Sequence, residues 1–480
     1  MLQAERPTRL ATLADLKVHS PKLIRPWIIL NMRTNLTLAV LLLSLCGQVQ
    51  AAPLTLELMQ LGPSDPTTQS YNLQEQRDLR VFARSAADFK QSKIFWQQKI
   101  NGQWQAPQRL PFSNERWRDS DPHLSNNGKT LVFISDRPVD GEQALGQLDL
   151  YESTLSEGKW SAPQRLSESL QSKSYELGPE RYGNQLYFGS YRKGGPGKVS
   201  IYRSERLADG GHSAPVALPA PVNVGPSNSD FTLSPDGRFA LWWSDRDAGK
   251  NGSDADIFLA ERVGADFGPA IRLPAPINGP GFEFTPSVSS DGQWLIFAST
   301  RSGAHAAGLS QLYRVSWPAL LKELGPRIEA HSQLQLDQRL SALWQAIGHK
   351  DGAASNVELL GSLLHPQARI WGQSLRTASL DIKAWSGSEF LDLLKEPKPE
   401  ALYECEVHRE LRRYGAHAEV YSVVESRRRA DQTLADSTGV NSSQWQLGPQ
   451  GWQLLSLHYA MELPGQSPPP RTRRSGDCIG

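Results

Sequence analysis

Between residues 79 and 315 the chain repeats one phrase five times: a short apolar strand ending in serine, a loop that carries Arg in the later copies, and a second strand built around Tyr or Phe. The copies LRVFARS, KTLVFIS, NQLYFGS, RFALWWS and QWLIFAS end at Ser85, Ser135, Ser190, Ser244 and Ser299, roughly 50 to 55 residues apart. The second strands carry Phe95, Tyr151, Tyr202, Phe258 and Tyr313 in step, and four copies run on into WQAPQRL, WSAPQRL, HSAPVAL and FGPAIRL. A unit of that size with several β-rich runs, each bounded by Gly, Asn, Asp or Pro, is one four-stranded propeller blade. Helix-pair solenoids need a 3.6-residue apolar period, and these runs lack one.

Blade number follows from closure. Five copies are visible, and PLTLELMQLGPSD, beginning at Pro53, has the form of the outer strand that the fifth copy lacks. Pairing it there removes an exposed edge. The expectation is a mainly β chain with a five-bladed propeller, a degenerate sixth blade being the alternative. The 39 Gly and 33 Pro among 480 residues suit such a turn-dense protein, and the length leaves room for a further domain. With 51 basic against 50 acidic residues the net charge is +1, so no global field recruits nucleic acid or an anionic membrane.

Residues 32–51, MRTNLTLAVLLLSLCGQVQA, read as a secretory signal peptide: Arg33 supplies the charge, Leu36 to Leu45 the short apolar run, and Val49 and Ala51 the small-residue cleavage site. The run is too short to span a bilayer, so the mature chain has no transmembrane segment and is periplasmic or secreted. Residues 1–31 then read as an extension upstream of the true start at Met32. Cys46 is not a lipid anchor, because Leu45 stands where a small residue is needed. Cys405 and Cys478 remain in the mature chain and can pair, although Cys478 falls in a Pro/Arg/Ser tail, residues 464–480, that reads as disordered.

The repeat is specific enough to carry a resemblance. SPDGRFALWWSDRDAGKNGSDADIFLA, SSDGQWLIFASTRSG and SNNGKTLVFISDRP resemble the TolB-type, WD-like propeller repeat over residues 53–317. Its Asp-Gly and Asn-Gly pairs provide the positive backbone angles of tight hairpins. Arg137, Arg192, Arg246 and Arg301 stand two residues after the strand-ending serines, placed to tie a loop to backbone carbonyls or to Asp149 and Asp256. Asp119, Glu176 and Glu283 recur three residues before Pro122, Pro179 and Pro286, with Asn228 at the same place in the fourth repeat. The resemblance implies that these four line one mouth of the central channel. Converging carboxylates there could hold a hard cation or cleave a glycoside, while the alternative is a solvated or capping role.

After Trp317 the pattern changes. Leu336, Leu340, Leu343, Trp344 and Ile347 fall at helical spacing, and Gly348 with Gly352 stops the helix. A short strand at Ala368 to Trp371, a helix from Ser388 to Leu394 and three long strands complete an α+β domain over residues 333–463. HKDGAASNVELLGSLLHPQARIWG with the closing strands is similar to the nuclear transport factor two-like superfamily, including SnoaL-like domains, which implies a cone-shaped pocket. Some members of that superfamily are isomerases, cyclases or dehydratases. Strand alternation puts Leu455, Leu457, Tyr459, Met461 and Leu463 on one face and Trp452, Ser456 and His458 on the other. It likewise separates Tyr403, Cys405 and Val407 from Glu404, Glu406, His408 and Glu410. The pocket candidates are therefore Trp371, Tyr403 and Tyr459, with no base pointing among them.

No Gly-x-Ser-x-Gly elbow, HExxH, CxxC, P-loop or dinucleotide fingerprint occurs, so no catalytic residue, cofactor or metal is assigned. The expectation is an exported, non-catalytic binding or scaffold protein. Its propeller face meets a protein or envelope component, and its C-terminal cone binds a small ligand or mediates dimerisation. The alternative is an enzyme: a glycoside-type hydrolase at the channel or an isomerase-like activity in the cone.

Overall fold

The computed structural model describes residues 53–63, 65–125, 128–250, 253–301, 309–373, 382–448, 451–461 and 477–479. The expected upstream extension, signal peptide and most of the C-terminal tail lie outside these residues. The chain is mainly β. Antiparallel meanders begin with Gln69–Gln76, Asp119–Leu124, Glu176–Tyr182, Asn228–Leu233 and Gly281–Val288. Each continues through the serine-ending strand (Leu79–Ser85, Thr130–Ser135, Gln185–Ser190, Phe239–Ser244, Trp294–Ser299) into the aromatic strand (Lys93–Ile100, Asp149–Ser156, Ser200–Glu205, Ser253–Val263, Gln311–Ser316). Short outer strands pair with the first four aromatic strands. On the fifth, Glu57–Leu58 takes that place, with Glu57 opposite Arg314 and Leu58 opposite Tyr313, so the N-terminal segment covers the last edge.

One aromatic pair recurs in every meander because the serine-ending and aromatic strands keep the same register. Phe82 faces Phe95, Phe133 faces Tyr151, Phe188 faces Tyr202, Trp242 faces Phe258 and Phe297 faces Tyr313. Their ring centroids lie 5.9 to 6.2 Å apart, within the range where offset rings attract.

The first strands adjoin one another in chain order, and the last adjoins the first. Each is interrupted by a register shift, at Tyr71/Gln74, Ser120/His123, Leu177/Glu180, Ser229/Thr232 and Phe284/Ser287. The residue in the bulge takes a positive φ in every case: Asn72, Asp121, Gly178, Asp230 and Thr285. From there side chains reach the next meander. Thr285 Oγ1 accepts from Asn72 N at 3.1 Å, Asp121 Oδ2 from Gly178 N at 3.0 Å, and Asp230 Oδ2 from Thr285 N at 3.1 Å. These bonds stitch neighbouring first strands where their own ladders are broken.

A single helix, Trp317–Ile347, leaves the last meander. The helix spans the stretch between the two expected domains and runs unbroken through Gly325 and Pro326. Gly325 has no Cβ to clash with the proline ring, which removes part of the usual penalty before proline. Packing on both halves offsets the rest. Trp317, Leu320, Leu324 and Ile328 belong to the core of the fourth and fifth meanders, with Phe239, Leu241 and Phe297. Leu336, Leu340, Leu343 and Trp344 belong to the second core, with Phe390, Trp445, Trp452 and Leu457. Nothing in this helix is apolar and long enough to cross a membrane, nor is any other described helix.

The C-terminal sheet has the order Ile382–Ser386, Leu364–Gln373, Gly451–Met461, Ser437–Gly448, His417–Arg427, Tyr403–Tyr414, with helices Val357–Leu363 and Gly387–Leu394 against it. Ser386 and Glu389 form a capping box at the start of the latter helix. Cys405 and Cys478 are joined by a disulfide, and Ile479 N donates to Glu406 O, so the last described residues are fastened to this sheet.

Candidate functional site

The four residues expected at a channel mouth do not open onto one. Asp119, Glu176, Asn228 and Glu283 are all 0% exposed. Each carboxylate is held by the arginine of its own repeat: Asp119 by Arg137, Glu176 by Arg192 at 3.1 Å, and Glu283 by Arg301 at 3.1 Å. Burial pushes all three carboxyls above their ordinary range, against the pull of the guanidiniums. Asp149 and Asp256, the partners suggested by the sequence, are taken by Arg165 and Arg272 instead.

Those four arginines share one local job. Arg137, Arg192, Arg246 and Arg301 each donate Nε–H to the strand-ending serine, at 3.0, 3.0, 3.0 and 2.8 Å. Each also lies over the aromatic pair of its repeat, with Arg192 5.1 and 5.0 Å from the Phe188 and Tyr202 centroids and Arg246 4.4 Å from that of Phe258. Arg192, Arg246 and Arg301 further donate to the Leu170, Val222 and Ile277 carbonyls of the incoming loops. The fourth repeat is the exception: Asn228 replaces the carboxylate, and both its side-chain polar atoms are buried without a hydrogen-bond partner among the described residues.

Two carboxylates the sequence reading passed over stand on the same first strands, two residues further on than Asp119 and Asn228. Asp121 and Asp230 occupy equivalent bulges, accept from Ser120 Oγ at 2.9 Å and Ser229 Oγ at 3.3 Å, and stand on either side of Gly178 in chain order. Burial, with the charge of Asp121 adding to it, pushes the Asp230 carboxyl from 3.8 up to about 7. Their hydrogen bonds are used in joining meanders. Among the described residues no group of three or more His, Cys, Asp or Glu gathers as a metal site would require.

The C-terminal sheet holds a cavity of about 230 Å³ lined by Trp344, Phe390, Leu393, Leu394, Val424, Leu457 and Met461, with Glu404, Ser426, Asn441 and Tyr459 as its polar groups. Of the expected pocket residues, Tyr459 is there, whereas Tyr403 and Trp371 are not among those lining it. Tyr403 alternates with Glu404 and so falls on the opposite face of its strand, and Trp371 pairs with His458 rather than Tyr459; two register shifts further change the expected faces. A shift between Glu406 and His408 breaks the alternation of Tyr403–Tyr414, so Glu404 and Glu406 belong to one face while His408 and Glu410 fall on the other. A second shift, opposite Gln444/Trp445, turns Trp452 and Leu454 into the core with Leu457, displacing Leu455 from the face it was expected to share.

Glu404 is thus the one carboxyl in this apolar chamber. Ser426 Oγ lies 3.2 and 3.3 Å from its two oxygens. Burial pushes the carboxyl from 4.5 up to about 7, opposed only by the Ser426 hydroxyl. Asn441 sits opposite Tyr459 on the neighbouring strand, and neither side chain has a hydrogen-bond partner among the described residues. Burial pushes the Tyr459 hydroxyl up as well. A protonated Glu404 can donate, an ionised one can accept or pair with a cation, and Asn441 and Tyr459 can do either job for a neutral ligand. A wider cleft of about 510 Å³ lies beside Tyr182, Arg238, Arg262 and Arg413. Its guanidiniums are already engaged with Glu261, the Gly264 carbonyl and the Gly415 carbonyl.

No protein-family model matches the sequence, and no curated protein matches it. Among solved structures the chain is similar to a TolB-like protein of Agrobacterium tumefaciens, at 15% identity over 48% of this chain and 69% of that one, with a TM-score of 0.32. It is also similar to an NTF2-like protein of unknown function from Silicibacter pomeroyi, at 12% identity over 28% of this chain and 98% of the other, with a TM-score of 0.21. An alpha-L-arabinofuranosidase from Lactobacillus brevis aligns at 13% identity over 54% of this chain and 94% of its own, with a TM-score of 0.34. At these scores the likenesses carry no argument about what the chain does.

Proposed function

We propose that the chain is an exported binding protein in which residues 53–317 form a five-bladed TolB-like propeller and residues 333–463 a SnoaL-like cone that takes a small ligand. The observation that carries this reading is the cavity of about 230 Å³ with one carboxyl in an otherwise apolar wall. Five repeated meanders whose first strands adjoin in order support the propeller. The disulfide between Cys405 and Cys478 suits an oxidising compartment, the periplasm or the exterior. In this reading the propeller is a rigid, non-catalytic platform for a protein or envelope component, and the helix Trp317–Ile347 couples it to the ligand-binding cone.

Glycoside cleavage at a channel is disfavoured, because Asp119, Glu176 and Glu283 are each buried against an arginine. Glu404 favours one second reading, acid–base chemistry in the cone, since a carboxyl titrating near neutrality can both give and take a proton. Native mass spectrometry of the mature chain purified from its own envelope tests the binding reading. A retained small-molecule mass is expected, and it should disappear in Leu393→Trp, where an indole at a 44% exposed position narrows the cavity. A retained mass that survives this variant would move the ligand out of the cone.

A further inference from the structure

The cone is electrostatically unbalanced. Two positions along the same strand, Glu406 is met by Arg409, which also holds Asp337, and by Ser422. On the next strand Glu425 is met by Arg427. Glu404 has the Ser426 hydroxyl alone, and among the described residues no Lys, Arg or His forms an ion pair with it. The fold therefore supplies a cation for its neighbours and none for the carboxyl inside the cavity. An ionised carboxylate buried without a counter-charge is unfavourable, and a ligand that brings the charge removes that penalty. The same chamber presents the rings of Trp344, Phe390 and Tyr459, whose faces attract cations.

We propose that the cone binds a hydrophobic amine, with its ammonium against Glu404 and its apolar body among Leu393, Leu394, Leu457 and Met461. This rests on the small-ligand reading given above and names the class of ligand. An anionic ligand would meet like charge. A neutral alcohol or carbonyl compound would satisfy the protonated acid but leave the ionised form unpaired. Size also bears on the choice: an apolar cavity of about 150 Å³ takes a benzene ring, so about 230 Å³ suits a ring carrying a short alkyl chain. Glu404 and Tyr459 are the titratable side chains lining the chamber, so its charge at neutral pH is set by Glu404.

The test is calorimetric titration of the mature full chain with 4-phenylbutylamine and its neutral isostere 4-phenylbutan-1-ol at pH 8 and pH 5.5. The amine is expected to bind at least ten times more tightly than the alcohol at pH 8. Lowering the pH should weaken the amine about 30-fold, because roughly 1.5 pH units separate pH 5.5 from the titration of Glu404 near 7. Near neutrality, amine binding should release a proton, measurable in two buffers of different ionisation enthalpy. Glu404→Gln should lower amine affinity at pH 8 tenfold or more and abolish the preference for the amine over the alcohol. If the alcohol binds as well as the amine at pH 8, the amine assignment is overturned and the small-ligand reading stands. Amine binding that is indifferent to Glu404→Gln overturns the assignment too, by placing the site elsewhere. If neither probe binds, both readings fall.

Discussion

Replacing Glu404 with Gln should stabilise the protein above neutral pH, and by much less in mild acid. Burial raises the carboxyl from 4.5 to about 7, so between these values the folded chain keeps a proton that the unfolded chain has released. The contribution of Glu404 to stability is whole below pH 4.5 and is lost as the pH rises to 7, where it levels off. A gap of about 2.5 pH units, at about 1.4 kcal/mol per unit, is worth about 3 kcal/mol. Gln keeps the shape and the contact with Ser426 but never ionises. Urea unfolding of both proteins from pH 5 to pH 8 isolates the effect, since Asp230 and the other titrating groups are common to the two. The stability difference should grow from about 1 kcal/mol at pH 5 to about 3 kcal/mol at pH 8. A difference that does not vary with pH, or a variant less stable than the parent at pH 8, would refute the reasoning.

Gly178→Ala places a Cβ 2.6 Å from Asp230 Oδ1 at a residue with φ of 41°, and a loss of about 2–4 kcal/mol is expected in thermal unfolding. Asn228→Leu puts methyls, on the same branched skeleton, in place of two buried polar atoms that lack a partner among the described residues, so a gain of about 1–2 kcal/mol should appear in the same assay. Cys405→Ser opens a link across a sequence separation of 73; the chain-entropy estimate is a loss of about 4 kcal/mol, matched by adding reductant to the parent and absent when reductant is added to the variant.

Much of the repeated β half was legible because its signals are local. The strand-ending serines, the aromatic partners and the turn glycines recur at fixed offsets, and register in an antiparallel ladder follows from tight turns. The outer strand at Glu57–Leu58 could be anticipated because an unpaired edge demands a partner. The arginines were legible as staples but not in their partners. Asp149 and Asp256 were suggested by the strand that follows, whereas the carboxylates that bind Arg137, Arg192 and Arg301 come from the first strand of the meander. Burial of those carboxylates also removed them from any channel mouth.

The C-terminal sheet shows the limit more sharply. Alternation along Tyr403–Tyr414 marked Tyr403, Cys405 and Val407 as the apolar face, and Cys405, Val407 and Val423 do form a small core of their own. The larger chamber is on the opposite face, with Glu404 in it. Where both faces of a strand are buried, period-two patterning does not say which one meets a cavity, and a bulge reverses the answer for every residue beyond it.

By itself, the sequence determined the repeat, the β architecture, the aromatic pairs within each meander and a helix ending at Gly348, since these depend on neighbours in the chain or across one turn. Only the tertiary structure decided that the helix Trp317–Ile347 runs unbroken between two cores, that Asp121 and Asp230 join successive meanders, and that Glu404 stands without a counter-charge in an apolar chamber. Those outcomes depend on which distant strands exclude water from a given side chain, and that information enters when the sheets pack.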